Sequence, residues 1–276
     1  MKGKRWSALI VSLLAFLVGL VWIVPFMGVL MSALRPQEEI LYGWWNLPAT
    51  FSFDNFVNAW NHPTAPLSQG VKNSLLVVIP STLIPVFIGA LGAYGLERFR
   101  LPGRGPILMV IALLLAIPQQ MVAVPLFRFL NSLGLLDTYT GLVLAHSAWA
   151  LPWIIFFLRG YLTSLPRELE EAAAIDGANR YQTFFRIVLP LMTPALASVS
   201  ALQVTWTWND FFLALVLIFD PDKLVATQRI PLMRGQYHVD WGLLSAGAVI
   251  TMIVPILVFL LLQRYYIRGL IGGAAK

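Results

Sequence analysis

Six long apolar segments dominate this sequence of 276 residues and limit the folds that it can adopt. They cover residues 9–31, 75–96, 107–130, 141–158, 191–219 and 243–262. A membrane-spanning helix needs about 20 mostly apolar residues, and each segment has roughly that length. The sequence therefore predicts an all-α membrane protein with six transmembrane helices, built as a single transmembrane domain over residues 1–276.

Composition excludes the main alternatives to a membrane protein. Charged residues make up 12% of the chain, whereas an average soluble domain is about 25% charged. So few charges cannot cover a water-facing surface of this size, which argues against a soluble enzyme. The chain has no cysteine, which excludes disulfide scaffolds and thiolate metal sites. The net charge of +6 indicates membrane lipid as a partner and not nucleic acid, because no basic run exceeds a few residues.

The distribution of basic residues predicts how the chain is oriented. With six spans, both ends lie on one side of the membrane. Thirteen of the 19 lysines and arginines fall on that side, and 6 fall on the other. Basic residues concentrate in cytoplasmic loops. We therefore expect both termini, and the long connection between spans four and five, to lie in the cytoplasm.

That connection, residues 166–190, has the pattern of a helix-turn-helix. Glutamates in a first helical turn favour the positive end of the helix dipole, and the alanines that follow favour helix. Gly177 is expected to end this first helix. A second amphipathic helix is predicted from Tyr181, Phe184, Phe185 and Val188, which recur at helical spacing. From periodicity alone, the segment also fits an amphipathic linker on the membrane surface.

The same segment resembles the EAA signature of binding-protein-dependent ABC importer permeases. The signature reads E-A-A, three residues, G, nine residues, I-x-L-P, and the matching positions are Glu171, Ala172, Ala173, Gly177, Ile187, Leu189 and Pro190. The resemblance implies that residues 166–190 form a coupling segment whose helix docks on a cytoplasmic ATPase subunit.

Other motifs are similar to the carbohydrate, maltose-type (MalG-like) group of that family. They are Trp208-Asn209-Asp210-Phe211 and the tail from Gln263 to Lys276. The resemblance implies a bacterial inner-membrane permease subunit that translocates a sugar delivered by an extracytoplasmic solute-binding protein. The implied partners are a second, different permease and two ATPase subunits.

Sequence motifs for nucleotide chemistry are missing from the chain. It has no G-x-x-x-x-G-K-[ST] run, so we expect no cofactor in this chain, no enzymatic activity of its own, and ATP and Mg²⁺ on the partner ATPase. A permease for glycerol-3-phosphate or another polar solute is an alternative, although Arg128 is the only basic candidate within a span. A proton-coupled carrier or intramembrane enzyme would need paired membrane carboxylates, and only Asp210 lies within span five.

Polar residues in spans three and five are the candidates for the solute path, because such residues at membrane depth usually face an interior or a water-filled route. On a helical wheel, Gln203, Trp206, Thr207 and Asp210 share one face of span five, and Asn209 lies beside them on another face. Gln120 lies where Pro118 interrupts span three, and broken helices often line cavities. Packing between subunits, or a simple proline kink, would explain the same residues.

Overall fold

The computed structural model describes the backbone of residues 2–43, 46, 49–235 and 238–274, and the side chains of residues 9–43, 46, 49–235 and 238–263. Every regular element within these ranges is helical, which confirms the predicted all-α class. The tail motif lies outside the described side chains beyond Gln263. The elements in chain order are α1 (Lys2–Ala33), α2 (Gln37–Tyr42), α3 (Asp54–Trp60), α4 (Leu67–Arg98), α5 (Arg104–Ala116), α6 (Gln119–Ser132), α7 (Tyr139–Thr163), α8 (Glu168–Ile175), α9 (Arg180–Thr183), a π-helical turn (Phe184–Val188), α10 (Leu189–Leu191), α11 (Thr193–Asn209), α12 (Phe212–Leu217), α13 (Ala226–Leu232) and α14 (Trp241–Ala274).

Four helices are each long and apolar enough to cross a membrane: α1, α4, α7 and α14. Two bent helix pairs pass the same test when their halves are taken together, each as a broken span or a re-entrant loop: α5 with α6 at 103°, and the α9–α10 stretch with α11 at 70°. By length and composition the described residues thus hold four candidate spans, and six when each bent pair counts as one span, which is the predicted number.

The breaks have local causes. Ile117 precedes Pro118 and takes an extended conformation (φ −79°, ψ 121°), because a proline disfavours helix at the residue before it. Helix α6 then restarts at Gln119. The predicted fifth span, 191–219, is not one helix, since α11 ends at Asn209 and Asp210 is extended with ψ 122°.

The chain divides into two compact units. The first comprises residues 1–68 and 229–253. Within it, the fully buried Arg35 organises the connection after α1. Its guanidinium donates to the carbonyls of Met31 (3.1 Å), Gly43 (3.3 Å) and Asn46 (2.7 Å). Carbonyl oxygens thus satisfy a buried cation, as burial of a charge requires.

The second unit comprises residues 69–228 and 254–276, and one of its buried clusters forms where α4, α7, the π-helical turn and α11 pack together. Gly89 allows α4 and α7 to approach closely. A Cβ built there would lie 2.5 Å from Cγ2 of Ile154, a fully buried side chain. Any larger residue at position 89 would therefore push these two helices apart.

Candidate functional site

The coupling segment begins with α8, which ends where the sequence predicted. Gly177 has φ +84°, in the left-handed region that favours glycine. The N–H of Ala178 donates to the carbonyl of Ala173 (2.9 Å), and that of Gly177 donates to Ala174 (3.1 Å). These bonds satisfy the last carbonyls of the helix, as is typical of a glycine-terminated helix end.

The second helix of the segment starts at a cap that the sequence reading missed. The side-chain oxygen of Asn179 accepts from the backbone N–H of Gln182 (2.9 Å), and the side-chain oxygen of Gln182 accepts from the backbone N–H of Asn179 (2.8 Å). This reciprocal pair is a capping box, which the N-x-x-Q spacing could have indicated. The helix that follows is not a regular α-helix, because residues 184–188 form a π-helical turn. Tyr181 is 80% exposed, whereas Phe184, three residues later, is buried.

Some of the predicted coupling residues are buried against the chain, and others are exposed. Ala173 is buried, and Ile187 and Leu189 are half-buried, so these three help to hold the segment against its own unit. The exposed members of the signature are Glu171, Ala172, Gly177 and Pro190.

Large apolar side chains border those exposed positions. Ile175 is 86% exposed and Leu169 is 44% exposed. Tyr181 is 80% exposed as well, so the segment that contains Gly177 exposes these three large apolar side chains. Exposed apolar side chains of this kind are suited to a protein partner, and docking of the ATPase at the coupling segment remains a prediction.

Within the same unit, α5, α7 and α11 surround a cavity of about 520 Å³. It is lined by Leu114, Leu115, Ile117, Gln119, His146, Trp149, Ala150, Trp153, Gln203, Trp206, Thr207, Asn209 and Asp210. The wall thus combines tryptophan rings with amide, hydroxyl, imidazole and carboxylate groups. Five of the six predicted solute-path residues are among these, which the structure therefore brings together: Gln203, Trp206, Thr207, Asn209 and Asp210.

Trp206 and Gln203 have different roles in this wall. Trp206 is 54% exposed and packs edge-on against Trp153, with ring centroids 4.8 Å apart. Gln203 is buried, and its amide donates to Thr207 Oγ1 (2.9 Å) and to the carbonyl of Ser81 (3.3 Å). Its amide oxygen accepts from Nε1 of Trp153 (3.3 Å). Gln203 thus holds Trp153 in place, and Trp206 presents a free ring surface.

The helical wheel is wrong beyond residue 209. Asp210 does not continue the helical face, because α11 ends at Asn209. Its carboxylate accepts from the N–H of Leu213 (2.8 Å), and its carbonyl accepts from Thr227 Oγ1 (3.0 Å). The turn nevertheless brings both Asn209 and Asp210 to the cavity, and Asn209 is exposed there.

At the break in span three, the residue that lines the cavity is Gln119 and not the predicted Gln120. Gln120 is exposed and does not line the cavity, whereas Gln119, the first residue of α6, does. The prediction also missed His146, Trp149 and Trp153 of α7. Their spacing of three and four residues places them on one helical face, which was the signal that could have found them.

Comparison with known proteins agrees on one family. The family described as binding-protein-dependent transport system inner membrane component matches residues 81–272. A probable ABC transporter permease protein of Pyrococcus horikoshii is 53% identical over 100% of both chains. The trehalose/maltose transport system permease protein MalG of Thermococcus litoralis is 32% identical over 100% of this chain and 99% of its own. The fold is similar to that of a solved bacterial ABC transporter involved in the import of the acidic polysaccharide alginate, with a TM-score of 0.82 and 22% identity over 96% of this chain and 98% of that one.

Proposed function

Because this chain belongs to the family of binding-protein-dependent transport system inner membrane components, as the EAA signature predicted, we propose which solute it carries and with which partners. It is a multi-pass inner-membrane permease subunit of an ABC importer. The solute is a sugar that an extracytoplasmic binding protein delivers. The observation that carries the choice of a sugar is the cavity with three tryptophans and the polar groups beside them.

The chemistry of the cavity fits a neutral sugar. Sugars present C–H faces that pack on aromatic rings, and hydroxyls that need donors and acceptors fixed in place. The exposed ring of Trp206 provides an aromatic surface for the C–H face, and Gln119 and Asn209 provide donors and acceptors for the hydroxyls. Among the described residues that line the cavity there is no lysine or arginine. A glycerol-3-phosphate or another phosphate would need such a cation, so a neutral sugar is favoured.

The partners follow from the family and from the exposed residues of the coupling segment. A second, different permease completes the membrane pathway, and two ATPase subunits bind ATP and Mg²⁺. Both termini and the coupling segment lie in the cytoplasm, where the ATPase meets Gly177 and the exposed Ile175. The sequence contains no phosphate-binding G-x-x-x-x-G-K-[ST] loop, which supports placing the nucleotide on those partners.

The mechanism is alternating access driven from the cytoplasm. ATP-dependent closure of the ATPases displaces α8, and the displacement opens the permease pair toward the docked binding protein. The sugar then enters the cavity, where Trp206 packs on its C–H face and the amides orient its hydroxyls. ATP hydrolysis reverses the closure and opens the cavity to the cytoplasm.

Transport by the purified complex tests this proposal. The four kinds of subunit are co-purified and reconstituted in vesicles, and uptake of radiolabelled mono- and oligosaccharides is measured with binding protein outside and ATP inside. We expect uptake of at least one neutral sugar that requires both. Uptake of glycerol-3-phosphate with no uptake of any sugar would replace the proposed substrate, and co-purification without an ATPase would contradict the proposed partners.

A further inference from the structure

A buried glutamate at the end of α4 gathers arginines from three other parts of the chain. Glu97 is 8% exposed, and its carboxylate lies 2.8 Å from Arg104 Nη2, 3.0 Å from Arg159 Nε and 3.7 Å from Arg167 Nη2. Arg167 also donates to the carbonyl of Glu97 at 3.3 Å. We call these four residues the Glu97 cluster.

The three arginines come from different places in the fold. Arg104 is the first residue of α5, Arg159 belongs to the last turns of α7, and Arg167 directly precedes α8. One carboxylate therefore joins the ends of α4, α5 and α7 to the start of the coupling segment. Helices α5 and α7 also provide cavity residues, among them Leu114 and Trp153.

The next residue of α4 makes a second connection to the coupling segment. Arg98 Nε lies 2.6 Å from the Glu170 carboxylate, and these two side chains are only 6% and 16% exposed. The Tyr94 hydroxyl donates to the same carboxylate at 3.1 Å, and Arg98 Nη2 donates to the carbonyl of Leu165 at 3.1 Å. Helix α8 is thus bound to α4 through charge-assisted hydrogen bonds. Because these groups are largely buried, water and salt screen the interaction only weakly.

From these contacts we propose that Glu97 is a positioning residue that transmits movement of the coupling segment to the walls of the cavity. A shift of α8 pulls on Arg167 and Glu170, and through Glu97 it shifts the ends of α5 and α7 together. The proposal rests on the proposed function, because it assumes that α8 is the element that the ATPase displaces. It assigns a role to residues outside both the EAA signature and the cavity.

The test measures transport and ATP hydrolysis in the same vesicles. Glu97→Gln keeps the shape of the side chain and removes its charge, so the three guanidinium groups lose their common anion. We expect the complex to assemble and to hydrolyse ATP, while the amount of sugar taken up per ATP falls at least about five-fold, the lower end of typical coupling between sites. A merely structural role would lower both activities in parallel with the amount of complex, and would leave this ratio unchanged.

The chain offers a matched control and a second variant. Glu38 lies on α2, outside the coupling segment and the cavity, is exposed, and has no ion pair among the described residues, so Glu38→Gln should keep the wild-type ratio. Glu170→Gln breaks the second connection and should lower the ratio as Glu97→Gln does. If Glu97→Gln fails to assemble, Glu170→Gln carries the test alone.

The possible results separate this inference from the proposed function. A wild-type complex that takes up no sugar refutes the proposed function itself. A transporting wild type with unchanged ratios in Glu97→Gln and Glu170→Gln overturns only the positioning role. Loss of assembly in both variants also overturns it, because the two glutamates would then serve folding alone.

Discussion

The glycine that ends α8 allows a sharp test of docking at the coupling segment. Gly177 has φ +84°, and a Cβ built on it meets no atom of this chain within 4 Å. An alanine there therefore has a backbone cost, but its Cβ has no steric cost against the described residues. The backbone cost for an ordinary residue in a left-handed conformation is roughly 1–2 kcal/mol, and alanine and leucine share it. Because Gly177 is exposed, we expect a difference between the two variants to come from contact of the leucine side chain with a partner.

We expect Gly177→Ala to keep the ATPase and most of its transport, and Gly177→Leu to lose one or the other. Forcing three extra carbons into a closely packed contact costs typically 1–3 kcal/mol. That free energy corresponds to a roughly 5- to 150-fold weaker association with the ATPase. Gly177→Asn is a further control, because asparagine tolerates the left-handed conformation better than other residues.

The assay has two parts. Co-purification of the ATPase with tagged permease measures association, and uptake in vesicles with simultaneous ATP hydrolysis measures coupling. If Gly177→Leu binds the ATPase and transports as well as Gly177→Ala, the exposed face around Gly177 is not the docking site, and the reasoning from the EAA signature fails.

Three further predictions concern topology, the cavity and helix packing. Cysteine in place of the exposed Ser164, between α7 and α8, should react with a membrane-impermeant maleimide only after permeabilisation. Cysteine in place of the exposed Asn58 of α3 should react in intact cells. Labelling of position 164 from outside would contradict the proposed orientation. Trp206→Ala should raise the KM for uptake about five-fold, because an aromatic contact contributes on the order of 1 kcal/mol. The complex should stay assembled, and the affinity of the binding protein for sugar should not change. Dissociation of the complex would instead indicate that Trp206 packs against the second permease. Gly89→Ala should lower the melting temperature of the complex, because overpacking costs roughly 1–3 kcal/mol, whereas Gly95→Ala, with open space around its Cβ, should not; equal melting temperatures would show that the α4–α7 contact relaxes freely.

Features that depend on local sequence could be predicted well. Span number follows from apolar length: four predicted segments are single long apolar helices, and two bent pairs bring the number to six when each counts as one span. The end of α8 at Gly177 follows from the backbone freedom of glycine. Both are properties of a few consecutive residues, so no knowledge of distant contacts was needed.

Features set by contacts between distant residues could not be predicted. Glu97 and Arg159 are 62 positions apart in the sequence, and nothing in either neighbourhood specifies the other as its partner. The choice of Gln119 over Gln120 depends on the 103° bend between α5 and α6, whose direction the sequence Pro118-Gln119-Gln120 does not specify. Helical spacing also groups Tyr181 with Phe184, yet Tyr181 is exposed and Phe184 is buried, and the π-helical turn at Phe184–Val188 is a further feature that the spacing does not indicate.

Polar residues of span five illustrate a general limit of reading membrane depth from sequence. Depth makes Gln203 and Asn209 equally expensive in lipid, so both were reasonable candidates for the solute path. What separates them is whether their hydrogen-bonding groups are already used inside the chain. The Gln203 amide is satisfied by Ser81, Thr207 and Trp153, whereas Asn209 is exposed at the cavity wall. An amide whose hydrogen bonds are made inside the chain fixes the shape of a cavity, whereas an exposed amide can bind what enters it. Only the three-dimensional hydrogen-bond pattern therefore distinguishes Gln203, which positions Trp153, from Asn209, which is available to a sugar hydroxyl.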